Sequence, residues 1–242
     1  MSSGTVLDGT QPQTSVSFIV PALNEEVNLR DTVDEIRRAA VVLSDFEIVI
    51  VNDGSTDATG AIADDLAGKD AKVKAVHNLK NAGLGGAYKS GLAAASKSYV
   101  IMIPGDNNHP ADGIIPILAC AGKADIVIPY VANPEVRGPM RRAISRLFVI
   151  LVNLLFGLNV RYYNGLVLHR LDLLRQITIE TNGFAYQAEA LVKLLKRGAS
   201  YHQIPVPVAD HGDRNTRAFR IRNVIRVVRT LAKLFIEVRV RS

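Results

Sequence analysis

Three apolar runs decide how this chain reads: Ser17-Phe-Ile-Val-Pro21-Ala-Leu-Asn24-Glu25-Glu26, Glu47-Ile-Val-Ile-Val-Asn52-Asp53-Gly54-Ser55, and Tyr99-Val-Ile-Met-Ile-Pro104-Gly105-Asp106-Asn107-Asn108-His109-Pro110. Each is a short β-branched run that breaks off into turn-formers and polar side chains. Such runs read as buried parallel strands, and open α/β sheets put their ligands at the carboxyl ends of those strands. The third cluster is expected to decide the chemistry.

After the first strand, Asn24 is expected to cap a helix reaching about Arg38, with Leu29, Val33 and Ile36 at helical spacing and Glu25 and Glu26 at the positive dipole end. The second strand leads through Asp53-Gly-Ser-Thr56-Asp57 into a helix carrying Ile62 and Leu66. A strand over 73–76, the stretch Asn81-Ala-Gly83-Leu-Gly85-Gly86 and a helix over 87–95 follow. Beyond the third run come a helix over 111–121 and a strand over 125–129. This alternation argues for an α/β fold with a doubly wound, mostly parallel sheet. The second half is less regular: a helix over 141–158, a strand over 164–169, a helix over 185–197 closed by Gly198, and a strand over 201–208. Residues 222–239 read as an amphipathic basic helix with Ile225, Val228, Leu231, Leu234 and Phe235 on one face. Such a helix suits packing on a core or lying on an anionic membrane.

With 242 residues, 48% of them hydrophobic, the chain supports one substantial core and not two generous domains. Cys120 is the single cysteine, so no intramolecular disulfide forms, and a reducing cytoplasmic address is expected with Cys120 as packing. Residues 1–14 read as a loose arm with no basic or apolar signal region. The most lipid-like stretch, 147–158, falls short of the roughly 20 apolar residues a membrane span needs, although it can lie at an interface. From Arg214 onward nine Lys/Arg face one acid, Glu237, a net +8 that leaves −2 for the rest of the chain. A tail of that kind seeks phosphate. Its arginines lack interleaved aromatics beyond Phe219 and Phe235, which argues against nucleic acid.

Asp53 directly follows a buried strand, so its carboxylate can accept hydrogen bonds from a base or ribose in the crevice, although Asp-Gly-Ser also makes an ordinary capping turn. Asn24 and Glu25 occupy the equivalent end of the first strand, as ligands or as a cap and dipole partner. Gly83, Gly85 and Gly86 permit close backbone approach, either to a ligand or to another segment, without the Lys-Ser/Thr of a P-loop. Asp106 and Asn108 lie two apart, and in an extended segment they project to one side. Both offer hard oxygen donors able to hold Mg²⁺ or Mn²⁺ together with a substrate diphosphate, unless they form only a polar turn before a Pro-started helix. His109 is expected to pack or hydrogen-bond rather than bind metal.

Taken together and in this order, these clusters resemble family 2 glycosyltransferases of the GT-A fold, in particular the dolichyl-phosphate mannose synthase-like branch that loads sugars onto polyprenyl phosphates. The likeness runs from about Ser17 to Leu234. It implies that Pro21, Ala22, Leu23, Asn24, Glu25 and Asp53 hold the donor nucleoside, with Gly83 and Gly85 in the family's Gly-Leu-Gly element and Gly91 on the following helix. The family's D-x-D-x-Q-H-P metal motif aligns with Pro104-Gly-Asp106-Asn-Asn108-His109-Pro110, so Pro104 replaces the first carboxylate and Asn108 the glutamine. Arg141, Arg142, Ser145 and Arg146 fall where an interface helix turns arginines to donor and acceptor phosphates and its apolar part to lipid. The family's D-x-T-S-G-F stretch is here Arg161-Tyr-Tyr163-Asn164-Gly165-Leu166, without the acid. Glu189 matches an acceptor-side glutamate, and Gln187 falls near the general base of hydroxyl-glycosylating relatives. Arg214 and Arg217 stand in the stretch that closes over phosphates.

The resemblance implies an inverting, metal-dependent hexosyltransferase, with Asp106, Arg142 and Arg146 as its catalytic groups. The donor is a UDP- or GDP-sugar, and the acceptor a polyprenyl phosphate or similar membrane-bound group. A phosphate acceptor is already ionised, which agrees with a glutamine in the base position. The implied organisation is an arm over 1–14, a catalytic domain over 15–213 with its nucleotide half ending near 130, and a basic segment over 214–242 resting on the cytoplasmic face of an anionic membrane. Homo-oligomerisation is left open. A hydroxyl acceptor, or a catalytically weakened sugar-nucleotide-binding protein lacking the first metal carboxylate, are the alternatives.

Overall fold

The computed structural model describes residues 14–208 and 221–240. The apolar runs become β1 (Ser15–Ala22), β2 (Asp45–Asn52) and β4 (Tyr99–Met102), with β3 at Val73–His77, β5 at Ile126–Val131, β6 at Leu168–Arg170 and β7 at Tyr201–Val206. Between them lie α1 (Leu29–Ala39), α2 (Thr59–Lys69), α3 (Leu84–Ala94), α4 (Ala111–Leu118), α5 (Pro139–Phe156), the short α6 (Leu171–Leu174), α7 (Tyr186–Lys196) and α8 (Ile221–Val240). The seven strands form one sheet in the order β3-β2-β1-β4-β6-β5-β7.

β1, β2, β3 and β4 run parallel, β6 runs against both β4 and β5, and β7 is parallel to β5. Six strands therefore point one way and share one carboxyl edge. From β1 the chain winds out through β2 and β3, then returns to lay β4 on the other side of β1, so the order reverses between β1 and β4. That reversal opens a crevice at the carboxyl edge. The expected strand over 164–169 is a correction: only Leu168–Arg170 pair, and they pair antiparallel.

Alternating side chains fill two cores, one on each face of the sheet. Phe18, Val20, Ile48 and Ile50 pack with Leu29, Val33, Ile36 and Ile114 from α1 and α4. Ile19, Val49 and Val51 pack on the other face with Ala87 and Tyr88 of α3 and Leu191 of α7. Gly91 lets α3 sit down on this face, because a Cβ there would come within 2.4 Å of Ile19 Cγ2. The basic C-terminal helix α8 packs on this same core, burying Leu231 and Leu234 and setting Phe235 edge-on to Phe156 of α5. Cys120 is buried as packing. His169, sealed in β6, is held neutral by burial, which pushes its pKa down to about 3. Among the described residues no helix is long and apolar enough to cross a membrane. The boundary expected at 213–214 lies outside the described residues, as do Arg214 and Arg217.

At the opposite, amino edge, Glu47 is 3% exposed and binds Lys74 Nζ (2.6 Å), Ser17 Oγ (2.6 Å) and the Ser96 N–H (2.5 Å), tying β2 to β1 and β3. Burial alone raises its pKa, but the bonds from Lys74, Ser17 and Ser96 outweigh burial and hold it below the ordinary value. A carboxyl whose pKa is lower folded than unfolded adds stability above the unfolded value of about 4.3, and that stability is lost as pH falls through the folded value. Thermal melts across pH are therefore expected to find Glu47→Gln about 1–3 kcal/mol less stable at pH 7. The gap should close on acidification below about pH 4; a gap independent of pH would contradict the assignment.

Candidate active site

The site is assembled from the loops that leave the carboxyl edge. Asn24 does not cap a helix: it sits at φ 58° in the loop after β1, and α1 begins only at Leu29 behind Asn28. Asn tolerates this left-handed backbone, and there its side chain turns toward the neighbouring loop. Asn24 Oδ1 accepts the Thr56 N–H at 2.9 Å, and the Asn24 N–H donates to Ser55 Oγ at 3.0 Å. The Glu25 N–H donates to Thr59 Oγ1 (2.8 Å), and Glu26 Oε2 accepts the Ala58 N–H (2.9 Å) at the start of α2. Glu26 thus sits at the dipole of α2 rather than α1, while Glu25 Oε2 accepts from Asn28. The loops after β1 and β2 are laced into one unit.

Asp53, 4% exposed, organises the next layer. Its Oδ1 accepts Asn78 Nδ2 (2.7 Å) and the Ala82 N–H (2.9 Å), and its Oδ2 accepts the Gly83 N–H (3.1 Å). One lone pair of Oδ2 is left for a ligand among these bonds. Gly54, at φ 72°, brings the loop so close that a Cβ would touch the backbone of Lys80 and Asn81 at 2.6–2.7 Å. Gly83 and Gly85 face a protein segment: a Cβ on either would meet carbonyl oxygens of Thr181 or Asn182 at 2.7 Å, and the Gly85 N–H donates to Asn182 O. Their N–H groups are engaged inside the chain, so the glycine stretch shapes the crevice instead of offering free N–H donors.

Pro21 and Ala22 are buried walls whose carbonyls accept from Gly105 (3.0 Å) and Asp53 (2.9 Å), with Leu23 half-buried beyond them. Across the switch point, Asp106 and Asn108 lie in a turn and not in an extended segment, because Asn107 adopts φ 52°. The turn is pinned to α1 by the Asn107 N–H on Thr32 Oγ1 (3.0 Å) and the Ala111 N–H on Glu35 Oε2 (2.7 Å). Asp106 is half-buried, and its Oδ1 accepts the Asn108 N–H at only 3.3 Å. No three His, Cys, Asp or Glu among the described residues group to hold a metal. A single carboxylate beside neutral oxygens fits a hard cation that takes its other ligands from substrate phosphates and water.

On the far side of the crevice, Arg141, Arg142 and Arg146 open α5 without a carboxylate partner among the described residues, and Ser145 is half-buried beside them. Along this helix Met140, Ile144, Leu147, Leu151 and Leu154 recur at four- and three-residue steps and form an exposed stripe, with Leu147 at 67% and Leu154 at 79%. Glu189 is 3% exposed, and its carboxylate accepts the N–H groups of Glu180 (2.8 Å) and Thr181 (3.0 Å) and pairs with Lys193 (2.9 Å). Glu189 therefore holds the segment that presses on Gly83 and Gly85 and does not reach out to an acceptor. Gln187, 5% exposed, keeps Nε2 buried with no hydrogen-bond partner among the described residues.

Sequence reasoning missed Asn78, Thr32, Glu35 and the 181–183 backbone; only the turn-forming Asn182-Gly183 pair carried a local signal. Asp53→Ala removes the shared acceptor of Asn78, Ala82 and Gly83. Hydrogen exchange is expected to find the Ala82 amide exchanging at least about tenfold faster, with a smaller effect at Gly83, whose N–H also donates to Asn81 Oδ1 at 2.9 Å; unchanged protection at Ala82 would refute this role.

Comparison with known proteins agrees with this architecture. The profile of Glycosyl transferase family 2 matches residues 17–177. Polyprenol monophosphomannose synthase of Mycolicibacterium smegmatis is 29% identical over 212 residues, which cover 81% of this chain and 78% of that protein. The uncharacterized glycosyltransferase EpsJ of Bacillus subtilis is 40% identical over 92 residues, but these cover 38% of this chain and only 26% of EpsJ. Among solved structures, glucosyl-3-phosphoglycerate synthase of Mycobacterium tuberculosis, in complex with Mn²⁺, UDP-glucose and phosphoglyceric acid, superposes with a TM-score of 0.68 at 20% identity, covering 94% of this chain and 80% of that one. The fold is therefore GT-A, and the chain belongs to glycosyl transferase family 2.

Proposed function

We propose that this protein transfers a sugar from a nucleoside diphosphate sugar to a polyprenyl phosphate at a membrane surface, inverting the anomeric centre. The observation that carries the reading is the division of α5, which sets Arg141, Arg142 and Arg146, with no carboxylate partner among the described residues, at its start and an exposed apolar stripe along its length. Arginines bind phosphate and the stripe suits an acyl boundary, so one helix serves an acceptor with a charged head and a lipid tail. The likeness to polyprenol monophosphomannose synthase supports that acceptor class.

In this reading residues 15 to about 130 form the donor half. The laced loops carrying Asn24, Glu25 and Asp53 hold the nucleoside of a UDP- or GDP-sugar against Pro21, Ala22 and Leu23. Asp106 and Asn108 would hold Mg²⁺ or Mn²⁺, which supplies positive charge to the leaving diphosphate. Arg142 and Arg146, with Ser145, orient the acceptor phosphate for attack on the anomeric carbon from the face opposite the diphosphate. Arg214 and Arg217 are assigned to the same phosphates. No residue has to remove a proton from an ionised phosphate, which agrees with glutamine at Gln187, assigned to the acceptor side. The protein would then work as a peripheral enzyme on the cytoplasmic face of an anionic membrane.

Calorimetry with UDP and GDP, with and without Mn²⁺, is expected to find metal-strengthened nucleotide binding, and transfer to a prenyl phosphate should yield an acid-labile product. Asp106→Ala should lower kcat by at least about a hundredfold. Intact transfer in that variant would overturn the mechanism; nucleotide binding without transfer to any acceptor would mark a binding protein.

A further inference from the structure

Five arginines lie between residues 137 and 161, and the only acid over 132–164 is Glu135. Elsewhere Arg30, Arg37, Arg38 and Arg170 pair with carboxylates, and Arg175 and Arg197 donate to carbonyls. Arg137 has neither kind of partner among the described residues. It follows β5 at the carboxyl edge and is half-buried, and its Nη1 donates to the Tyr162 hydroxyl at 3.0 Å. Its guanidinium also lies over the Tyr162 ring, 5.5 Å from the centroid, and with one neutral hydrogen bond among the described residues it keeps four N–H donors for an anion.

Tyr162 is itself fixed. It belongs to the loop that enters β6, and that loop lies on the end of β5 so closely that a Cβ on Gly165 would sit 2.9 Å from Pro129 O and 3.4 Å from the Tyr162 ring. β6 is the single strand between β4, which delivers Asp106, and β5, which delivers Arg137. Strands are spaced about 4.8 Å apart, so the carboxyl ends of β4 and β5 are about 10 Å from each other across β6, and the turns that carry Asp106 and Arg137 leave the same edge of the sheet on either side of the loop that enters β6.

We propose that Arg137, oriented by Tyr162, contacts the phosphate of the acceptor across the sugar from Asp106. This rests on the polyprenyl phosphate reading above. Tyr162 is the positioning residue, and Arg137 adds a phosphate contact on the β5 side that Arg142 and Arg146 on α5 do not provide.

The test measures transfer to a short, water-soluble prenyl phosphate and to a long-chain acceptor in neutral or anionic vesicles. Arg137→Ala is expected to raise KM for the soluble acceptor about tenfold, with nucleotide affinity by calorimetry unchanged. Arg137→Lys should recover part of that loss. Tyr162→Phe, which keeps the ring, should raise KM about threefold at constant kcat. Arg161→Ala removes a charge from an exposed arginine stacked on Tyr130 (4.7 Å) and should change KM little. An unaltered KM for the soluble acceptor, with a defect only on anionic vesicles, would reassign Arg137 to lipid headgroups and overturn the proposal, as would an equal effect of Arg161→Ala. Wild-type protein inert toward every prenyl phosphate would defeat the function reading and this inference together. An active wild type with an indifferent Arg137→Ala would defeat the inference alone.

Discussion

The buried carboxylate of Asp53 is the constraint on which the crevice depends. It gathers a side-chain amide and two backbone N–H groups from residues 78–83, and charge-assisted bonds in a sheltered place are about twice as strong as neutral ones. Once that loop is drawn in, Gly83 and Gly85 meet the backbone of 181–182, which Glu189 holds from beneath through Glu180 and Thr181. Asp53 at the end of β2 and Glu189 on α7 thus act from two distant parts of the chain on one contact. This side of the crevice takes its shape from the second half of the molecule.

Much of this was legible in the sequence where local physics decides. Val-Ile runs closed by Asn52-Asp53 or Pro104-Gly105 can hardly be anything but buried strands, and the parallel arrangement follows from the helices between them. Asn24 shows where local rules mislead, because its left-handed backbone and its bond to Thr56 are set by a loop more than thirty residues away. β6 is illegible for a related reason: three residues carry no periodicity, and their direction comes from β4 and β5 on either side. The roles of Gly83 and Gly85 depend on a segment about a hundred residues distant, which Glu189 holds, so a resemblance could mark the positions but not the partners.

Electrostatics divides the molecule by edge. At the amino edge Glu47 gathers Ser17, Lys74 and Ser96 into a closed cluster, and Lys97 pairs with Asp45 beside it. At the carboxyl edge the acids organise backbone while the arginines of 137–161 have no carboxylate partner among the described residues. The first arrangement holds the sheet together. The second leaves positive charge to be answered from outside, with Asp106 as a lone acidic point across the crevice.

The reversed strand β6 carries a consequence for how such a protein can change. In a sheet of strands running one way, each strand sends only its trailing loop to the carboxyl edge, and its leading loop stays at the remote end. Because β6 runs backward, it brings its leading loop, residues 157–167, to the edge between the turns of Asp106 and Arg137. Val160, Tyr163 and Val167 of that loop are fixed in the core, but its exposed positions Arg161 and Asn164 can be recharged or exchanged without disturbing the lacing around Asp53. Descendants of this chain can therefore change what the carboxyl edge presents between the turns of Asp106 and Arg137 through one short connection, while the lacing around Asp53 is inherited intact.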